Sequence, residues 1–175
     1  MFVYLHHYSL ERDLTNIVVE SPDTDVSVIS CYQFASKFHQ KFEFWFKTVT
    51  AQQKRYIPVH QLVDNLGTTL SKMLPAFHNI TGCNSTSSFC GLGKETAYTI
   101  HKKYSSQLLD LIDFGEEPIL AIDSELSLCA IKFVCLLYDE HFKSNDINSL
   151  LFKLFAEKEY QVKSYHLQSI HYYNT

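Results

Sequence analysis

The sequence predicts an α/β fold: a short, mostly parallel sheet followed by an all-helical C-terminal half. Two observations carry that expectation. Aromatic and β-branched runs at 16–20, 42–49 and 55–59 read as strands, with helical spacing between them. Past Tyr104 only helical spacing recurs. With 175 residues the chain is long enough for one compact domain.

The elements follow in order. Phe2 to Leu14 has apolar residues near helical spacing and closes on Glu11-Arg12-Asp13. Asn16-Ile17-Val18-Val19-Glu20 is apolar throughout its middle, as a strand buried on both faces would be. Val26 to Phe34 reads as a helix. Phe42 to Val49 and Arg55 to Val59 read as two strands about a turn at Ala51–Lys54, with Pro58 at a strand end or on an edge. A helix from His60 to Leu66 breaks at Gly67, and Thr68 is placed to cap a second one through Leu70, Met73, Leu74 and Phe77. Three further helices are expected, at Ser106–Ile112, Ser124–Tyr138 and Ile147–Ala156. The tail from Ser164 to Thr175 shows no clear period.

Composition narrows the classes of function. A net charge of −4 argues against a generally basic nucleic-acid coat and leaves room for a local patch. Lys37, Lys41, Lys47, Lys54 and Arg55 form one basic region, opposed by Glu43. Lys94, Lys102 and Lys103 form another, opposed by Glu95. Every formal charge between Lys103 and Lys132 is negative, so that region should face away from a polyanion. No run approaches the roughly 20 apolar residues of a membrane span, and no secretory leader is evident. Five scattered cysteines without a Cys-x-x-Cys pair read as reduced, mostly buried thiols, and the expected location is intracellular, with the nucleus as a guess. The nine histidines include no His-x-x-x-His and the cysteines no matched pair, which argues against zinc. His78 reads as a packed or hydrogen-bonded framework residue.

Two stretches carry chemistry. Asp23 and Asp25 follow the first strand at its carboxyl end, where open α/β sheets place ligands. If the strand geometry persists, both carboxylates point to one side and repel unless a cation sits between them. A solvated Pro-Asp turn is the plainer alternative. Farther on, Gly91-Leu92-Gly93-Lys94 opens a helix. Its free N–H groups and macrodipole favour an anion, glycine lets a phosphate approach the main chain, and Lys94 adds charge. Alone, such a turn is most often simply a turn.

The block Leu74-Pro75-Ala76-Phe77-His78, Thr81-Gly82-Cys83-Asn84-Ser85-Thr86-Ser87-Ser88 and Gly91-Leu92-Gly93-Lys94 resembles one in proteins encoded by animal transposable elements. Ser21-Pro22-Asp23-Thr24-Asp25-Val26 and Arg55-Tyr56-Ile57-Pro58-Val59-His60 agree with it in order and spacing, so the resemblance spans nearly the whole chain. That family in turn is similar to a distant branch of the PIN-like, flap-endonuclease superfamily. The resemblance implies a PIN-like core over 1–105 with a helix-hairpin-helix-like turn, a helical extension over 106–163 and a tail over 164–175. It also implies a cation site of Asp23, Asp25 and Asn84 for Mg²⁺ or Mn²⁺, and DNA contacts from Gly91, Gly93, Lys94, Lys102 and Lys103.

One departure matters. The family pattern has Asp where Asn84 stands, and an amide oxygen brings no charge to a cation. The family's upstream acidic pair would precede the segment matching Met1 to His6, which implies an N-terminally truncated copy. The expectation is therefore a degenerate nuclease-like domain that keeps weak nucleic-acid or metal binding and no catalysis. The alternatives are an active Mg²⁺-dependent nuclease completed by upstream acids, and a protein-interaction scaffold.

Overall fold

The computed structural model describes residues 14–38, 42–49, 54–83, 86–89, 91–115, 124–141 and 146–158. Its strands are β1 (Asn16–Glu20), β2 (Glu43–Val49) and β3 (Lys54–Pro58). Its helices are α1 (Thr24–Gln33), α2 (Val59–Leu66), α3 (Thr68–Ile80), α4 (Lys94–Lys103), α5 (Glu125–Tyr138) and α6 (147–158). A π-helical turn, Phe34–Phe38, continues α1. The general α/β class holds. The helix expected over 2–14 lies outside the described residues except at Leu14, as does the tail.

The sheet has the order β1-β2-β3 and is mixed, which corrects the mostly parallel expectation. β1 runs parallel to β2 with Val18 opposite Trp45, and β2 runs antiparallel to β3 with Lys47 opposite Tyr56. A short turn between β2 and β3 permits only an antiparallel pair. One parallel pair is then all that three strands in this order can hold.

One face of the sheet is covered. Ile17, Val19, Phe44 and Phe46 point into a core with Cys31, Phe34, Phe38, Phe42, Val59 and Val63. Phe34, Phe38, Phe42 and Phe44 stack edge-on or tilted, with ring centroids 5.1 to 6.4 Å apart. Such pairs add to the area they bury. Val18, on the other face, is 53% exposed. Strand β1 is therefore half-buried, and the expected two-sided burial is corrected.

Helix α3 is the spine that joins this core to a second one. Met73, Ala76 and Phe77 pack against Ala97 and Ile100 of α4, Leu108 and Leu111, and Phe133, Leu136 and Leu137 of α5. Leu74 touches both cores. Gly67, not Thr68, stands at the N-cap of α3, so the helix begins one residue earlier than a threonine cap would allow. Pro75 lies inside α3. Its missing N–H costs one helical bond, and Asn79 Nδ2 donates to its carbonyl at 3.0 Å.

The helix expected at Ser106–Ile112 is instead two 3₁₀ turns, Ser105–Gln107 and Leu109–Asp113. Ser124 caps α5 by accepting from Ser127 N–H at 3.2 Å. Asp146 does the same for α6, accepting from Asn148 N–H at 3.0 Å.

Candidate metal centre

The chain leaves β1 at Glu20 and reaches α1 within three residues. Asp23 is extended at φ −92° and ψ 127°, the backbone of an N-cap, and its Oδ1 accepts from Asp25 N–H at 3.0 Å. Its own N–H donates to Ser21 Oγ at 3.1 Å. Asp23 thus spends its carboxylate on the helix end, where orphan donors and the macrodipole favour an anion. Asp25 sits in the first turn of α1. Strand geometry does not persist past Glu20, so the strand alternation that would align the two carboxylates does not apply to them.

What Asp25 meets instead is His78, from the last turn of α3. Nε2 of His78 lies 2.7 Å from Asp25 Oδ1. Lys94 Nζ, at the start of α4, lies 3.1 Å from the other ring nitrogen, Nδ1. An ammonium can only donate, so Nδ1 accepts and Nε2–H donates to Asp25. A continuous Lys94–His78–Asp25 chain results, with the imidazole held at both ends. His78 is 12% exposed and Asp25 32%.

The elbow after α3 adds a third donor. Gly82 has φ +97°, and a Cβ there would lie 2.7 Å from Ser88 Cα. Only glycine lets the two backbones cross so closely. Beyond the crossing, Cys83 and Thr86 exchange backbone bonds at 3.2 and 3.3 Å. Thr86 Oγ1 donates to Asn79 O at 2.9 Å, locking the elbow to the end of α3. Cys83 Sγ lies 3.3 Å from Thr86 Oγ1 and 3.7 Å from Asn79 Oδ1. This geometry brings one ligand atom each of Asp25, His78 and Cys83 within 4.8 Å of one another, a possible metal-binding triad.

Of the residues singled out from sequence, Asp25 and Lys94 are brought together through His78. Asp23 is adjacent but committed to capping. Asn84 lies outside the described residues, so its expected approach to the aspartates does too. Gly91 has φ +76°, and Gly93 is the N-cap of α4 with ordinary φ −81° and ψ 154°. Lys103 is ion-paired with Glu140, which also accepts from Tyr104 Oη at 3.2 Å. That pairing raises the lysine's pKa and lowers the glutamate's. Lys102 is exposed. In the other basic region Lys47 pairs with Glu20 at 2.7 Å, Lys54 and Arg55 are exposed, and Lys41 lies outside the described residues.

Sequence reasoning missed Cys83 as a donor and read His78 as a packed or hydrogen-bonded framework residue, not as a ligand; its bonds to Asp25 and Lys94 fit the hydrogen-bonded reading. The signal that could have found both is their shared elbow block, five positions apart. The remaining described thiols are sequestered: burial pushes Cys31 up to about 11 and raises Cys129 and Cys135.

Mg²⁺ and Mn²⁺, which the resemblance implies, favour oxygen ligands. Among the described residues of this site Asp25 offers a carboxylate and Asp23 one whose Oδ1 already caps α1, and the companions of Asp25 are an imidazole and a thiol. The fit to Mg²⁺ is poor. Comparison with family models, curated proteins and solved structures finds no match to this chain. Among the described residues no helix is long and apolar enough to cross a membrane.

Proposed function

We propose that this chain is a degenerate flap-nuclease-like domain of transposon ancestry that contacts a nucleic-acid backbone at the start of α4 and does not cleave it. One observation carries the reading. Residues from separate resemblance blocks, Asp25, His78, Cys83 and Lys94, meet at one place beyond the carboxyl end of β1 although Asp25 and His78 are 53 positions apart. Gly93 supports it. Its backbone is ordinary, and among the described residues nothing lies within 4 Å of where a Cβ would stand. Neither conformation nor packing requires glycine there, whereas close approach of a phosphate to the helix N–H groups does.

Catalysis by two cations requires several carboxylates around ions about 4 Å apart. Asp25 alone supplies too little charge, and any binding of Mg²⁺ or Mn²⁺ here is weak.

Binding of a labelled oligonucleotide, followed by anisotropy against salt concentration, tests the proposal. Lys94→Gln should shallow the log–log salt slope by about one. Gly93→Val fits the fold and should weaken binding severalfold. No cleavage should appear in Mg²⁺. Unchanged affinity and slope in both variants would refute the backbone contact, and cutting abolished by Asp25→Ala would restore the active-nuclease reading.

A further inference from the structure

We propose that Asp25, His78 and Cys83 bind one divalent cation of the Zn²⁺ class, in a site selective against Mg²⁺. This goes beyond the nucleic-acid reading and does not depend on it.

The donor set is one carboxylate oxygen, one imidazole nitrogen and one thiol sulfur. Zn²⁺ takes all three, at about 2.0–2.2 Å for oxygen and nitrogen and about 2.3 Å for sulfur. Adjacent ligand atoms of a tetrahedral shell with those bonds stand about 3.3 to 3.6 Å apart. Here Nε2 and Oδ1 are 2.7 Å apart, and every separation in the triad lies within 4.8 Å. Closing the shell requires shifts on the order of 1 Å, within reach of side-chain rotation.

Placement favours binding as well. Asp25 and His78 stand on two helices packed against one another. Cys83 stands on an elbow pinned by four hydrogen bonds among Asn79, Cys83 and Thr86. The ligands are ordered before any ion arrives, which lowers the entropic cost of binding. Partial exposure of Asp25 and His78 leaves a fourth position for water or a ligand oxygen, the pattern of an open zinc site.

Lys94 works against the ion. While its ammonium donates to Nδ1, the imidazole proton sits on Nε2, the nitrogen that faces Asp25. Ligation through Nε2 moves that proton to Nδ1, where it would face the ammonium, so Lys94 must swing away. Metal and Lys94 therefore compete for His78. The spacing rules of zinc motifs gave no warning, because they describe ligands close in sequence and these come from α1, α3 and the elbow.

The experiment titrates Zn²⁺, and separately Co²⁺, into the full chain under a non-chelating reductant. Calorimetry should show one tight site per chain that a hundredfold excess of Mg²⁺ does not displace. Co²⁺ should give a thiolate-to-cobalt charge-transfer band in the unmodified protein. Its absence overturns the proposal without recourse to any variant. Cys83→Ser and Asp25→Asn are near-isosteric, and each should weaken Zn²⁺ by at least tenfold, Cys83→Ser also removing the band. Unchanged affinity in both would assign the ion to surface histidines or another cysteine and overturn the site. Lys94→Met should retain or tighten Zn²⁺ while weakening oligonucleotide binding. Loss of Zn²⁺ in that variant contradicts the competition, whereas loss of oligonucleotide binding alone bears only on the nucleic-acid reading.

Discussion

Gly82 and His101 show how much single residues decide here. At Gly82 a side chain faces two penalties, the left-handed backbone and the 2.7 Å approach to Ser88 Cα. Gly82→Ala should cost roughly 2 kcal/mol or more and displace Cys83, measurable as a lower denaturation midpoint. His101 is wholly buried, stacked on Phe77 at 5.3 Å and near Phe133. Neither of its ring nitrogens has a hydrogen-bond partner among the described residues. Burial brings its pKa down from 6.5 to about 4. The folded chain thus refuses a proton that the unfolded chain accepts. Stability from this group is full above pH 6.5 and is lost as pH falls toward 4, on the order of 3 kcal/mol in all. His101→Leu should flatten that slope in urea melts at pH 7 and pH 5; an identical slope would place the titration elsewhere. Sequence alone could not separate Asp23 from Asp25. Ser-Pro-Asp-Thr-Asp suits a metal loop and a helix cap equally, and only the start of α1 at Thr24 decides between them.

At the scale of elements, local signals were legible where the chain itself supplies the answer. The β2–β3 pair and the Gly67 break could be read because turn chemistry is local. So could the start of α5, expected at Ser124, whose role as the cap was not read. Ser124→Ala removes the bond to Ser127 N–H and should cost about 1 kcal/mol. That corresponds to a fall of some 2–4 °C in melting temperature for a chain of this size, and no shift would show the cap to be redundant. Burial of β1 was not legible. Ile17, Val18 and Val19 are all apolar, but what covers each face is decided by α1, α2 and α3, and they cover one. The 3₁₀ turns at 105–113 escaped for a related reason. Leu108 and Leu111 are both fully buried, and i, i+3 spacing satisfies a 3₁₀ turn as well as an α-helix.

For the whole molecule, α3 links two cores and ends at the site. The sheet core orients α1, and with it Asp25; the helical core orients α4, and with it Lys94. The elbow, held by the Gly82 crossing, places Cys83 beside Asp25 and His78. The expected cation site joined the Asp23–Asp25 turn to the elbow at Asn84, but the meeting of Asp25 with His78 and Lys94 was not read, because it arises from packing between segments tens of residues apart. Asp25, His78, Cys83 and Lys94 all fall within the resemblance blocks, but nothing in those blocks singles out His78 as the residue where they meet. The uncovered sheet face, with Val18, Trp45 and Tyr56, is the rival surface on which a scaffold role would depend. Chemical-shift mapping with a short oligonucleotide distinguishes the two surfaces most directly. The account predicts that amides from Gly91 to Glu95 and the His78 ring shift together, with salt reducing the effect. Shifts confined to Val18, Trp45 and Tyr56, or no shifts at low salt, would contradict it.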